Sequence, residues 1–243
     1  MKDFITLNHR NVRVWFLMAF QAGVINAGGF LACKRFVTHT TGMATHFAYE
    51  LANWHLEAAF GMLTVPLFFL LGAMITSYFV DLPHHRQQEP NFRMPALLIM
   101  VCLIFAMCLG EIGAFGIYGE NSGPRDYTFM ALLCLASGLQ NAMITNANGV
   151  VVRTTHLTGI TTDLAAGFVR LLFPHDRKAA TTDRDRMASI ARLGIILSFI
   201  SGSAASAFLF LKAEYLGFML PVFTSFCLLI YFIRRTTPRM EKL

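Results

Sequence analysis

Two short runs hold the side chains best suited to chemistry. Thr38-His39-Thr40-Thr41-Gly42-Met43-Ala44-Thr45 and Thr155-His156-Leu157-Thr158-Gly159-Ile160-Thr161-Thr162 share the pattern T-H-x-T-G-x-x-T. A threonine oxygen before glycine can accept bonds from the free N–H groups that open a helix, so Thr41 and Thr158 read as N-caps. Gly42 and Gly159, lacking Cβ, let a solute or another backbone approach those N–H groups. Two such helix starts brought together would offer partial positive charge to an anion, or to the carbonyl or carboxylate end of a solute. The plainer alternative is that the glycines only permit tight helix packing, as small residues do in membranes. His39 and His156 are equivalent and could form a proton relay, a hydrogen-bonding pair for a solute, or part of a metal site. Two histidines make an incomplete metal set, so no metal, no cofactor and no catalytic residue is expected.

Each run is preceded by a second shared block, Gly23-Val24-Ile25-Asn26-Ala27 and Gly138-Leu139-Gln140-Asn141-Ala142. The offsets are 141 − 26 = 115 for the first block and 156 − 39 = 117 for the second, which makes an internal repeat the strongest signal in the chain. Asn26 and Asn141 fall late in apolar helices, where a buried amide needs partners. They tie helices together, for instance by bonding the T-G loops, or they line a cavity. Gln140 is the better solute contact of its adjacent pair, and Arg153 is a counter-charge for an anion or an interfacial anchor. The candidate substrate-binding set is therefore Asn26, His39, Thr41, Gly42, Gln140, Asn141, Arg153, His156, Thr158 and Gly159. His46 and Glu50 share a helix face, and Asp163 lies in a first helical turn that favours carboxylates anyway.

The elements that must position these residues are membrane helices. The chain has 243 residues, 55% of them hydrophobic and 14% charged, and the mean hydropathy is +0.53. That composition excludes a disordered chain, a secreted disulfide scaffold and an ordinary cytosolic enzyme. Six stretches reach the roughly 20 residues needed to span a bilayer core: about 12–32, 60–80, 96–118, 127–147, 188–211 and 215–233. Two shorter ones, about 42–57 and 156–173, read as broken or re-entrant helices. The expected fold is an all-α polytopic bundle, a single membrane domain over 1–243, with one repeat at about 12–118 and the other at about 127–233.

With six spans each half has an odd number of crossings, so the halves are inverted, as in many transporters; with eight they are parallel. The six-span arrangement fits the positive-inside bias better. It leaves only Lys34, Arg35, Arg125 and Lys212 outside and puts both termini in the cytoplasm of a bacterial inner-membrane, multi-pass protein. The net charge of +6 is thus a topology signal, and no basic aromatic platform for nucleic acid exists. The five cysteines lie in or beside apolar runs without a C-x-x-C pair and read as reduced packing residues.

The G-x-x-N-A helix followed by Arg153-Thr154-Thr155-His156-Leu157-Thr158-Gly159 resembles the YoaK-like family of small bacterial membrane proteins over nearly the whole chain. The resemblance implies a polytopic inner-membrane protein of unassigned function. It departs from the expected family pattern at Asn26, where an acidic residue is expected, and at Thr41-Gly42-Met43, where T-G-N is expected.

No nucleophile elbow, H-E-x-x-H, P-loop or dinucleotide fingerprint is present, and the reading leans away from an enzyme. The function expected is a small secondary transporter or channel for a polar, anionic-type solute, with the duplicated T-H-x-T-G loops forming a central site. The alternative is a membrane-embedded sensor, assembly factor or enzyme that uses the duplicated fold as scaffold. Expected partners are the lipid bilayer and a small-molecule or ion substrate. The Gly194–Gly202 run could pack a second copy in a homo-oligomer or pack within one chain.

Overall fold

The computed structural model describes residues 9–120, 123–143, 157–173 and 179–236, and every regular element among them is helical. In chain order these are α1 (His9–Cys33), α2 (Thr40–Ala52), α3 (Leu56–Met62), α4 (Thr64–Phe79), α5 (Asp81–His85), α6 (Arg93–Glu111), α7 (Pro124–Ala142), α8 (Leu157–Leu172), α9 (Ala179–Ala213) and α10 (Met219–Thr236). A 3-10 turn, Glu214–Phe218, joins the last two.

Boundaries follow local chemistry. Pro124 opens α7 at the position where its missing N–H is harmless, behind Gly123 at φ 67°. α6 stops at Glu111, short of the expected 118, because Gly113 and Gly116 turn the chain at positive φ. The element expected over 42–57 is cut at residues 53–55, where Trp54 has φ 61°. α9 begins at Ala179, nine residues before the expected span of 188–211 (188 − 179 = 9), and the last residues expected for the 127–147 span lie outside the described residues.

Among the described residues four stretches are long and apolar enough to cross a membrane: Asn11–Cys33, Leu56–His85, Arg93–Glu111 and Asp183–Arg235. The fourth covers both α9 and α10. Leu67, Leu70, Leu71 and Met74 of α4, like Phe208 and Leu211 of α9, are exposed. Such a density of bare large apolar side chains suits a lipid surround rather than water.

Helix directions can be read from paired contacts. α1 runs parallel to α9, with Phe16 beside Gly194 and Phe20 beside Gly202. α4 runs parallel to α7: Gly61, just before α4, faces Tyr127, and Gly72 faces Leu135 and Leu139. α1 and α7 are antiparallel, since Gln140 Nε2 donates to the Met18 carbonyl (2.6 Å) while Gly29 lies by Leu133. α6 and α10 are antiparallel too, with Phe92 stacked on Phe232 (5.4 Å) at one end and Gly110 against Tyr215 at the other.

Both parallel crossings depend on backbone touching backbone. A Cβ on Gly23 would strike the Phe199 carbonyl and one on Gly202 the Phe20 carbonyl; Gly138 and Gly72 stand in the same relation to Phe69 and Leu135. In lipid, where apolar burial adds little between helices, close approach of small residues supplies the attraction. Hydroxyl donors reinforce it: Ser203 Oγ to the Gly23 carbonyl at 3.2 Å and Thr76 Oγ1 to the Leu139 carbonyl at 2.8 Å. Gln21 ties α1 to α10, donating to Ser225 Oγ (3.0 Å) and accepting from Thr224 Oγ1 (2.8 Å).

Candidate functional site

After Cys33 the chain does not continue outward. Lys34 turns at φ 57°, and residues 34–39 fold back along α1. Phe36 stacks on Phe30 with ring centroids 4.7 Å apart, Val37 packs on Gly29, and Thr38 Oγ1 donates to Asn26 Oδ1 at 2.8 Å. Val37 also accepts a weak bond from Cys134 Sγ at 3.1 Å, which fixes the fold-back to α7. From Cys33 to the level of Asn26 is seven residues of α1 (33 − 26 = 7), about 10 Å at 1.5 Å per residue. α2 therefore starts well inside the end of α1 and climbs back toward it.

At that start His39 occupies the N-cap position, without a side-chain cap bond. Its ring lies over Gly42, where a Cβ would come within 2.5 Å of Nδ1, and edge-on to Phe36 at 6.1 Å. Thr41 is in the second helical position, exposed, and its carbonyl accepts from Thr45 Oγ1 (3.4 Å). Thr158 occupies the same position in α8, its carbonyl accepting from Thr162 Oγ1 (3.1 Å). Each helix thus begins earlier than the expected threonine cap.

Between the fold-back and α2 lies a cavity of about 260 Å³ bordered by Lys34, Arg35, Met43, His46 and Glu50. It adjoins a wider hollow of about 660 Å³ that reaches His39 and Gly42. Arg35 is held by Met62 Sδ (3.1 Å) and by the Tyr127 ring (5.8 Å to the centroid). Glu50 pairs with His55 at 2.9 Å. Two cations, a helix start and the Glu50 carboxylate thus border one cleft, with Glu57 and Asp126 also within electrostatic reach of Tyr127 beside it. Among the described residues no group of three His, Cys, Asp or Glu side chains converges to hold a metal.

The structure joins Asn26, His39 and Gly42 at one place through Thr38. Gln140 sits in the core, 1% exposed, with its amide nitrogen on the Met18 carbonyl, and Asn141 is half-buried beside it. Gly159 meets no described residue within 4 Å. The two copies of the motif stand on separate helices, α2 packed on α3 and α4, and α8 on α9. Arg153 and His156 lie outside the described residues.

Over residues 14–233 the sequence matches the family described as Protein of unknown function (DUF1275). The chain belongs to the DUF1275 family. This agrees with the YoaK-like resemblance and assigns no activity. No curated protein and no solved structure matches it. In this DUF1275 chain two side chains escaped the sequence reading. Arg35 looked like one of four outer topology charges, whereas it forms a wall of the cleft. Arg192, in Ser189-Ile190-Ala191-Arg192-Leu193, is buried in α9, and the signal was its place inside an apolar run.

Proposed function

We propose that this protein is a small secondary transporter or channel for a polar solute with an anionic end, built from two inverted halves of about 12–118 and 127–233. The main support is the fold-back of residues 34–39, which sets the start of α2 at the depth of Asn26, beneath a cleft lined by Lys34, Arg35 and His46. A helix start set below the end of the preceding span in that way, with basic side chains above it, is how half-helices in transporters meet anionic groups.

Six crossings and inversion are part of the same reading. The Asp183–Arg235 stretch has 53 residues, about 80 Å if straight, and it breaks at Glu214–Phe218, so α9 and α10 each cross. α7, with 19 residues, is the sixth span. α2, with 13 residues, reaches only about 20 Å and re-enters. Inversion is supported by α1 against α7 and α6 against α10, the corresponding helices of the two halves, being antiparallel. It is supported also by the exchange of partners, α1 with α9 and α4 with α7. Both termini are then cytoplasmic, in a bacterial inner membrane.

The test is thermal unfolding of the purified protein with small anions, organic acids, amino acids and sugars. The variants His39→Ala/His156→Ala and Arg35→Gln are run alongside. A ligand at 100 times its Kd adds about 2.7 kcal/mol of stability. A solute that stabilises only the unmutated protein, and is then taken up by proteoliposomes, supports the proposal. If no solute separates the proteins, the proposal fails.

A further inference from the structure

Away from the α2 cleft, the buried charge of Arg192 has no hydrogen-bonding or ionic partner at its Nε and Nη1 among the described residues. Arg192 of α9 is 7% exposed, and its Nε and Nη1 make no hydrogen bond. Ser189, one turn earlier, is 3% exposed with an equally unpartnered Oγ. Both face Gly167 of α8, where a Cβ would lie 2.5 Å from Ser189 Oγ and 3.5 Å from Arg192 Nη1. The neighbouring charges are accounted for: Asp185 binds Arg170 Nε at 3.2 Å, and Asp163, one turn before Gly167, makes no ion pair with Arg192.

An arginine keeps its proton in proteins, and an unpaired guanidinium inside an apolar seam costs several kcal/mol. Nε–H, Nη1–H and a serine hydroxyl lie here without an acceptor, against a glycine whose missing Cβ is what lets α8 come this close. A planar fork with a hydroxyl beside it matches the oxygens of a carboxylate or phosphate group. We propose that Arg192, Ser189 and Gly167 form an oxyanion-binding site in the α8–α9 seam, separate from the α2 cleft and independent of whether that cleft moves a solute. Arg192 lies six residues beyond Arg186 (192 − 186 = 6), about 9 Å along α9 from its polar end. A free anion or the phosphate of an acidic lipid could supply the same oxygens at that depth.

The experiment uses the purified full chain at constant ionic strength with chloride as reference. One arm titrates sodium phosphate and sodium acetate in a neutral detergent. The other compares phosphatidylglycerol with phosphatidylcholine nanodiscs. The expected result is a rise in Tm with one source, apparent affinity falling by at least about tenfold in Arg192→Gln and less in Arg192→Lys, which keeps charge without the fork. Arg192→Gln should be no less stable than the unmutated protein in chloride, because it removes the uncompensated charge. A free-anion response names a soluble ligand, and a response to phosphatidylglycerol alone names a lipid. The proposal is overturned if neither source raises Tm, or if both proteins respond equally. It is overturned as well if Arg192→Gln and Asp163→Asn lower Tm alike in chloride, which would make Asp163 the internal counter-ion.

Discussion

Asn26 and Thr38 show how much one hydrogen bond can decide. Their 2.8 Å contact is the polar tie between the fold-back and α1, and it sets where α2 begins. In a double-mutant cycle, Asn26→Leu and Thr38→Val should couple by about 0.6–2 kcal/mol, in the range of interhelical bonds in membranes. Thermal unfolding of the four proteins checks this; additive losses would mean the bond contributes nothing to the folded state. Tyr118, in the turn after α6, differs. Burial pushes its phenol up from the usual range, and its hydroxyl has no hydrogen-bond partner. With the folded value above the unfolded one, stability is full below about pH 10 and falls as pH rises beyond it. Tyr118→Phe should flatten that alkaline loss without destabilising the protein at pH 7, measured by unfolding midpoints from pH 7 to 11.

At the scale of elements, the paired glycines separate into two classes that the sequence shows as one. Gly138 is pressed on the Phe69 carbonyl of α4, so Gly138→Val should cost about 1–3 kcal/mol or more by overpacking. Gly159, the other conspicuous glycine of the second half, meets no described residue within 4 Å. Gly159→Ala should be neutral or gain up to about 1 kcal/mol from helix propensity. Calorimetry of the two variants tests the contrast, and equal losses would sink it. The long apolar runs and the repeated blocks made the helices and the candidate loops legible beforehand. Helix pairing was not legible, because Gly23 and Gly138 look alike whether they face a solute or a carbonyl. The facing of Gln140 was not legible for the same reason: helical phase alone does not say which face of α7 meets Met18.

For the whole molecule, the proposed inversion places the α5–α6 connection in the cytoplasm. A cysteine at exposed Gln88, in a protein with Cys108 and Cys227 replaced by serine, should resist a membrane-impermeant maleimide in intact cells and react after permeabilisation. Labelling of intact cells would sink the six-span inverted arrangement with cytoplasmic termini. Charge counting favoured six before any geometry was known. What it did not contain was the packing around individual cations. Arg35 and Arg192 look like topology signals in the sequence, whereas one lines the α2 cleft and the other is buried in α9, and only packing distinguishes those places.

The seam between α1 and α9 also bears on biosynthesis. Gly23 meets a backbone that leaves the ribosome about 176 residues later (199 − 23 = 176). At roughly 5–20 residues per second this is a wait of roughly 9–35 s. For that interval the glycine face of α1 lies in the bilayer with lipid or the insertion machinery as its only cover. A nascent chain arrested before α9 should therefore be a substrate for membrane quality control rather than a stable half-protein.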